Sequence, residues 1–233
     1  KRGFSSSPQR WMLMTLQMKS ARLGKATPEM RIIAEEENES LDRIRRRVAS
    51  GTVIIARNVE HENVHPVGIG EGLRTKVNAN IGTSPDMSDV NLEIEKAKVA
   101  VEYGADTVMD LSINGDLDAV RRKILNAINV PLGTVPVYQA AIEAVRKKGS
   151  IVHMTEDDLF RVIEKHAKDG VDFMTVHCGI TRRAVEHMVH HPRLMGIVSR
   201  GGTFLAAWMI HNEKENPLYA NYDYLLEIAR EYD

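Results

Sequence analysis

The feature that most limits the fold of this chain is an alternation of strand-like and helix-like segments along its last two-thirds. Five short runs rich in apolar and β-branched residues each end in small or polar residues, and they lie at 76–84, 105–112, 132–139, 172–179 and 195–202. Stretches with apolar residues at helical spacing separate them. This order predicts a parallel sheet with crossover helices, and it is typical of a (β/α) barrel, where chemistry gathers at the carboxyl ends of the strands.

Five strand units are fewer than the eight that close such a barrel. We therefore predict an α/β fold in which residues 75–233 form a partial (β/α)8 TIM-type barrel with about five of the eight strands. Residues 27–74 are predicted to form a small helical N-terminal region and a loop. Residues 1–26 are predicted to be a leader or an extended N-terminal segment. A parallel sheet of five strands would keep two open edges, so we expect the chain alone to be marginally stable or prone to aggregation.

The N-terminal region carries local signals of its own. Thr27, Pro28 and Glu29 form a favourable helix start, with a hydroxyl cap, proline at the first helical position and an acid near the positive end of the helix dipole. A second helix is expected after Ser40, ending near Gly51, followed by a short strand over 52–56. Residues 57–74 are rich in glycine and are predicted to be loop.

Composition excludes several classes of protein. The net charge is −1, from 31 basic and 32 acidic residues, so the chain lacks the basic surface typical of nucleic-acid binding. Its single cysteine, Cys178, allows neither an internal disulfide nor a cysteine-based metal site. No apolar run approaches the roughly 20 residues that span a bilayer. We expect a cytoplasmic protein with no nucleic-acid or membrane partner, although serines and basic residues near the start loosely resemble a transit peptide.

The segment His61–His65 matches the H-E-x-x-H pattern of zinc proteases. The pattern works only on a helix, where both histidines share one face. Here Pro66 follows directly and disfavours a helical His65, so we predict that this match is accidental. His187 and His191 have the same spacing and also precede a proline, and a solvated helix end is the simpler interpretation.

Polar side chains recur at the ends of the first two predicted strands. Asn78 and Asn80 alternate with Ala79, which places both amides on one face of a strand. A buried asparagine needs a hydrogen-bond network or a ligand, and the residues alone do not decide between these. Met109 would ordinarily be core filler, and Asp110 is either a general base or a cap for the following loop.

Together the five strand ends offer amide, thioether, phenol, imidazole and guanidinium groups, a set that suits a polar, phosphorylated heterocycle. Tyr138 offers a ring for stacking or simple rim packing, and His177 is either an acid–base or ligand-holding group or a satisfied core histidine. Ser199, Arg200 and Gly201 belong to an S-R-G-G segment in which backbone N–H groups and a guanidinium suit an anion. The same segment also suits an ordinary tight turn.

At these positions the sequence resembles the phosphomethylpyrimidine synthase (ThiC) family of thiamine biosynthesis. The matching motifs are Q-M at 17–18 with A-R at 21–22, T-P-E-M at 27–30, V-N-A-N-I-G at 77–82, G-A-D-T-V-M-D-L-S at 104–112, G-T-V-P-V-Y-Q-A at 133–140, D-F-M-T-V-H at 172–177, G-I-V-S-R-G-G at 196–202 and E-Y-D at 231–233. They occur in family order from about residue 15 onward. The resemblance implies a radical S-adenosylmethionine carbon–carbon lyase, built on a (β/α) barrel, that converts aminoimidazole ribonucleotide into hydroxymethylpyrimidine phosphate.

Carried over by motif, the resemblance implies substrate contacts at seven positions but names no catalytic residue. They are Asn80, Met109, Tyr138, His177, Ser199, Arg200 and Gly201. For Met109, which would otherwise be interpreted as a core residue, the resemblance implies a contact with the ligand. It further implies S-adenosylmethionine, a four-iron four-sulfur cluster and zinc as cofactors, and either a homodimer or a complementing C-terminal polypeptide as partner.

The chain also departs from the family pattern. The D-G-L-R substrate motif, a substrate Glu and Tyr, two zinc histidines and the cysteine-rich tail are absent, so no metal site is expected in this chain. Residues 56–60 differ from the family's usual P-A-N-I-N. We therefore expect the N-terminal part of a ThiC-like synthase that is inactive alone. Two alternatives stay open: a non-catalytic fragment or half of a split enzyme, and a phosphate-handling barrel enzyme without radical chemistry.

Overall fold

A computed structural model of the chain describes residues 16–233, and residues 1–15 of the predicted leader lie outside this part. The helices are α1 Gln17–Arg22, α2 Pro28–Glu36, α3 Leu41–Ser50, α4 Val90–Glu102, α5 Leu117–Leu125, α6 Pro136–Lys148, α7 Glu156–Lys168, α8 Arg182–His190, α9 Arg200–Asn212, α10 Pro217–Ala220 and α11 Tyr222–Glu231. The strands are β1 Val53–Ala56, β2 Val67–Gly70, β3 Asn78–Ile81, β4 Thr107–Asp110, β5 Leu132–Thr134 and β6 Phe173–Met174, with a short 3-10 helix at Ile151–His153. Over the described residues, no helix is both long enough and apolar enough to cross a membrane.

The N-terminal helices begin and end where their cap residues predict. Thr27 Oγ1 accepts a hydrogen bond from the backbone of Met30 at 3.3 Å, and Ser40 Oγ caps α3. Gly51 ends α3 in the left-handed conformation, with φ of 79°. Helices α1 to α3 enclose an apolar core together with β1, formed by Ala21, Met30, Ile33, Ala34, Ile44, Val48, Val53 and Ile55.

The predicted strand over 52–56 is confirmed as β1, whereas the predicted loop over 57–74 is only partly correct. It contains β2, which pairs antiparallel with β1. Glycine is a packing requirement here rather than a loop signal. A Cβ atom on Gly68 would lie 2.6 Å from Ile33 Cγ2, so the strand can approach α2 only with glycine at this position.

Four of the five predicted parallel strands are confirmed, and they lie side by side in chain order as β3-β4-β5-β6. The fifth, predicted over 195–202, is wrong. Residues 195–199 form no strand, and α9 begins at Arg200. The serine cap at Ser199 favours a helix start, and Gly196 has φ of 60°, which interrupts an extended run. No barrel closes within the described residues.

The two faces of the parallel sheet differ in how they are covered. Ile81, Val108 and Leu132 are buried beneath α4 and α5 in a second apolar core. The opposite face carries Asn78 and Asn80, and both are exposed. Since successive side chains of a strand point to opposite faces, this difference in burial follows directly from the sequence of β3.

A third apolar core joins the later helices. It contains Leu159 and Ile163 of α7, Leu205 and Trp208 of α9, and Leu225 of α11. The indole N–H of Trp208 donates to the carbonyl of Met154 at 2.6 Å, which satisfies its one donor inside the core. This core packs α9 against α7 and α11. It thereby fixes the N-terminus of α9, which carries the S-R-G-G segment.

The buried guanidinium of Arg121 organises the helix-covered side of the sheet. It donates to Asp118 at 2.7 Å, to Gln139 Oε1 at 2.7 Å and to Asp169, and it lies 2.9 Å from His166 Nε2. Burial, followed by the positive charge of Arg121, lowers the pKa of His166 well below its ordinary value, so the ring is neutral. Helices α5, α6 and α7 are therefore linked by one charged network.

The H-E-x-x-H match at 61–65 lies in an irregular segment, as predicted. His61 is buried and its Nδ1 is 2.8 Å from Asp172 Oδ2, whereas His65 is exposed and pairs with Glu36. The fully buried Asp172 carboxylate also accepts the backbone N–H groups of Asn58 and Leu132, each at 2.8 Å. The two histidines point to different partners, and they form no zinc pair.

Candidate functional site

Asn80 and Met109 lie side by side at the carboxyl ends of β3 and β4. They are direct partners in the parallel register. The amide of Asn78 donates to Asn80 Oδ1 at 2.9 Å, and Thr107 Oγ1 donates to Asn78 Oδ1 at 2.9 Å. Thr175 Oγ1, beyond β6, lies 3.9 Å from Met109 Sδ. These side chains form a polar row along the uncovered face of the sheet, and the row leaves the Asn80 amide nitrogen available to a ligand.

Tyr138 lies in the first turn of α6 and not at a strand end as predicted. The strand β5 stops at Thr134, because Pro136 is favoured at the first helical position and starts the helix early. The Tyr138 ring packs edge-on against Phe204, with centroids 6.2 Å apart. The guanidinium carbon of Arg200 lies 4.9 Å from the Tyr138 ring centroid, which is a cation–π distance.

His177 also lies beyond its strand, because β6 contains only Phe173–Met174. Its Nε2 is 3.0 Å from Ser199 Oγ, while its Nδ1 is buried and has no hydrogen-bond partner in the described part of the chain. Burial lowers the pKa of His177 from its ordinary value. The ring is therefore neutral near pH 7 and offers one donor and one acceptor.

Ser199, Arg200 and Gly201 form the N-terminal end of α9. Ser199 Oγ accepts the backbone N–H of Gly202 at 3.1 Å and so caps the helix. A Cβ on Gly201 would lie 2.3 Å from Cε1 of His177, so only glycine lets the imidazole rest on this helix end. Helix N-termini attract anions through their free N–H groups and dipole, and the exposed Arg200 adds a full positive charge.

A cavity of about 280 Å³ joins β3 to the start of α9. Asn80 and Arg200 both line it, together with Thr83, Ser84 and Lys96, which sequence reasoning did not select. Thr83 and Ser84 directly follow Gly82 at the end of β3. Hydroxyl residues after a glycine at a strand end are a sequence signal that could have identified them. Lys96 gave no such signal, because a lysine on an amphipathic helix is ordinarily a solvated surface residue.

The fully buried carboxylate of Glu93 supports this cavity from below. Its Oε2 accepts the backbone N–H of Gly82 at 2.7 Å, and its Oε1 lies 2.5 Å from Lys96 Nζ.

The sequence predicts Asp110 as either a general base or a cap. Its side chain lies on the helix-covered side of the sheet and accepts a hydrogen bond from the backbone N–H of Ser112 at 2.9 Å. The Asp110 carboxylate therefore caps the turn after β4, and it is not among the residues that line the cavity.

The structure brings the predicted contacts to one edge of the sheet, which we call the carboxyl edge and define by the ends of β3 to β6. Tyr138 meets Arg200, His177 meets Ser199, and Asn80 shares a cavity with Arg200. A row of amides, an aromatic ring, a neutral imidazole and a cationic helix start together fit a ring compound that carries a phosphate. Cys178 is half-buried beside this edge, and burial raises the pKa of its thiol.

The fold defines an α/β protein with a parallel sheet, a class in which ligands ordinarily bind at the carboxyl ends of the strands. The sequence profile of the Radical SAM ThiC family matches residues 16–233, and the chain belongs to this family. It is similar to the phosphomethylpyrimidine synthases of Pyrococcus abyssi and Thermococcus kodakarensis, at 60% and 58% identity over 217 residues. In each case the alignment covers 93% of this chain and 51% of the relative, so the chain spans about half the length of the curated relatives it matches.

Proposed function

We propose that the carboxyl edge binds aminoimidazole ribonucleotide and supplies part of the substrate pocket of a phosphomethylpyrimidine synthase. The complete enzyme would convert this nucleotide into hydroxymethylpyrimidine phosphate in thiamine biosynthesis, as a radical S-adenosylmethionine carbon–carbon lyase. The observation that carries the proposal is the pairing at the start of α9, where Arg200 lies over Tyr138 and Ser199 bonds His177. Membership of the Radical SAM ThiC family and the names of the relatives agree with it.

The geometry supports a division of roles among the proposed contacts. The start of α9, with Arg200 and the N–H of Gly201, suits the phosphate group. Tyr138 and Met109 offer a ring and a thioether to the flat imidazole, and Asn80 offers an amide donor and acceptor. The neutral His177 can hold a substrate hydroxyl or amine without adding charge.

The residues present do not fit the metal cofactors of the family. A four-iron cluster is held by several thiolates, and this sequence contains one cysteine. No group of three histidine, cysteine, aspartate or glutamate side chains within residues 16–233 is placed to hold a metal ion. We therefore assign substrate binding to this chain and derive no catalytic step from it.

The uncovered face of the sheet supports a further part of the proposal. Asn78 and Asn80 face solvent on strands whose other face is fully covered. Parallel sheets are ordinarily covered on both faces. We propose that β3 to β6 are consecutive strands of a (β/α)8 barrel, and that the remaining strands, the cluster and the zinc ligands come from the other half of the complete enzyme, either a complementing polypeptide or further sequence.

Calorimetric titration of the chain with aminoimidazole ribonucleotide under anaerobic conditions tests the proposal. We expect saturable binding that Arg200→Ala weakens at least about tenfold, equivalent to about 1.4 kcal/mol, because it removes the charge opposite the phosphate. Arg193→Ala is the matched control, since Arg193 is an exposed arginine in the connection between α8 and α9 and does not line the cavity. Equal affinities in all three proteins would remove the proposed phosphate contact.

The single cysteine is compatible with a second candidate, a substrate-binding polypeptide that acts together with a complementing chain. For this second candidate, the chain alone binds the nucleotide, but product forms only when a cysteine-rich second half, S-adenosylmethionine and a reductant are added. A phosphate-handling enzyme without radical chemistry would instead act alone and in air. Product analysis of these two mixtures, the complemented one and the chain alone in air, separates the candidates.

A further inference from the structure

Asn216 is a completely buried asparagine that sequence reasoning did not select. It lies at the cap position before the short helix α10, and its relative exposure is 0%. Its side-chain Nδ2 donates to the carbonyl of His177 at 2.8 Å and to the carbonyl of Ile180 at 2.8 Å. Its Oδ1 accepts the backbone N–H of Leu218 at 3.0 Å. Both N–H groups of the amide therefore point at the segment that carries His177.

That segment has little regular structure to hold it. Strand β6 ends at Met174, and α8 begins only at Arg182, so residues 175–181 form no continuous ladder. A second tie comes from Glu215, whose carboxylate accepts the backbone N–H groups of Arg182 at 3.0 Å and of Asn216 at 2.8 Å. Because each buried carbonyl needs a partner, the Asn216 amide sets where the His177 backbone lies.

The His177 ring needs this placement, because it is confined on its other side. The ring lies against Gly201, where one extra carbon would come within 2.3 Å, and its Nε2 meets Ser199 at 3.0 Å. A shift of the His177 backbone would separate the imidazole from the start of α9. His177 is therefore fixed at two places: Asn216 binds its backbone carbonyl, and the start of α9 contacts its imidazole ring.

We propose that Asn216 is a positioning residue that holds the imidazole of His177 against the N-terminal end of α9. The role of this imidazole toward a ligand rests on the function proposed above, whereas the hold itself exists in the unliganded chain. The two statements can be tested separately. The first variant is Asn216→Ser, because serine keeps an oxygen that caps α10 and removes both N–H donors.

The readout is the imidazole Cε1–H signal of His177 in a carbon–proton NMR spectrum of the whole chain, assigned with His177→Gln. We expect Asn216→Ser to shift this signal and leave the other histidine signals in place. We expect its affinity for aminoimidazole ribonucleotide to fall about tenfold or more, since small displacements of a positioned group cost binding and catalysis. Asn216→Asp should do the same, because it places a carboxylate against two carbonyls.

Asn221→Asp is the matched control. Asn221 also lies beside α10, but within residues 16–233 its side-chain amide donates to Pro217 O at 3.2 Å and makes no hydrogen bond to the His177 segment. The His177 signal of the Asn221→Asp variant should match that of the unmodified chain.

An unchanged His177 signal in a folded Asn216→Ser chain would overturn the proposal. Loss of the folded state in both Asn216 variants would also overturn it, since Asn216 would then support the fold as a whole. A shifted signal with no nucleotide binding by the unmodified chain would leave the hold intact and refute the proposed function.

Discussion

At the scale of single residues, Gly201 is the position where the absence of a side chain matters most. The His177 ring occupies the space that a Cβ would fill, at 2.3 Å. Gly201→Ala should displace the ring and weaken binding of aminoimidazole ribonucleotide by roughly tenfold to a hundredfold. Stability should change little, because alanine is the better helix former and offsets part of the clash. Calorimetric titration and thermal unfolding measure the two effects.

Gly179→Ala is the control for this substitution. Gly179 lies in the same segment as His177, and a Cβ there would meet nothing within 4 Å. Its affinity should equal that of the unmodified chain. A Gly201→Ala chain that binds as tightly as the Gly179→Ala chain would show that the imidazole position is irrelevant to binding.

At the scale of elements, the exit of β3 depends on a close backbone approach at Gly82. Its φ is 147°, and a Cβ would lie 2.6 Å from the backbone of Leu111 and Ser112. Gly82→Ala should destabilise the chain by about 3 kcal/mol, because a backbone clash adds to an unfavourable conformation. Gly104→Ala, with φ of 89° and open space, carries only the conformational cost and should lose about 1 kcal/mol. Urea unfolding of both variants tests this, and equal losses would contradict it.

The contact between α5 and α7 should make the chain sensitive to acid. Burial alone would raise the pKa of the Asp118 carboxyl, but hydrogen bonds from Lys165, Gln139 and Arg121 outweigh it and hold the pKa well below its ordinary value. A folded-state pKa below the unfolded one, near 3.9, stabilises the chain above that pH. This stabilisation is lost as the pH falls from about 5 through the folded-state pKa.

We expect Asp118→Asn to cost about 2 kcal/mol of unfolding free energy at pH 7, since Arg121 and Lys165 lose a partner. The difference from the unmodified chain should shrink steadily toward pH 2.5. Urea unfolding at several pH values measures it. Asp116→Asn is the control, because Asp116 is an exposed helix cap and asparagine caps as well. A difference that stays constant with pH would rule out this carboxyl as the acid-sensitive contact.

The elements that could be predicted from the sequence are those whose signals are local. Thr27, Ser40 and Gly51 mark helix boundaries that the structure reproduces. The first four predicted parallel strands carry apolar or β-branched residues and are followed by helical patterns, and they too are present. The segment 195–202 has equally apolar residues, but a strand needs a neighbour to pair with, and a local pattern contains no information about that neighbour.

The candidate site could be predicted in composition but not in geometry. Arg200 and Tyr138 were selected as ends of separate strands, whereas both lie at helix starts and meet through a cation–π contact. Asn216 was missed because a buried asparagine and an exposed one look alike in a sequence. Contacts between segments far apart in the chain set these roles.

At the scale of the whole molecule, the sheet keeps two unpaired edges, at β3 and at β6, within the described residues. We expect the chain to self-associate with rising concentration, because edge strands pair with other chains. Val77 precedes β3 and is 57% exposed. Val77→Lys should shift the association toward monomer in sedimentation velocity, since lysine at an edge opposes pairing.

Val99→Lys provides the comparison for this effect. Val99 is similarly apolar and 45% exposed, but it lies on α4 and away from the sheet edge. It should leave the association unchanged. A single species at every concentration from the low to the high micromolar range would show that the edges are protected.

The buried carboxylate of Asp172 has a consequence for how the molecule opens. It accepts hydrogen bonds from the backbone N–H of Asn58, in the N-terminal region, and from the backbone N–H of Leu132, the first residue of β5. Neither amide can reach deuterium in the solvent while the carboxylate stays in place. Both protons should therefore exchange at one common rate, which makes the loop after β1 and the centre of the sheet a single cooperative unit of opening.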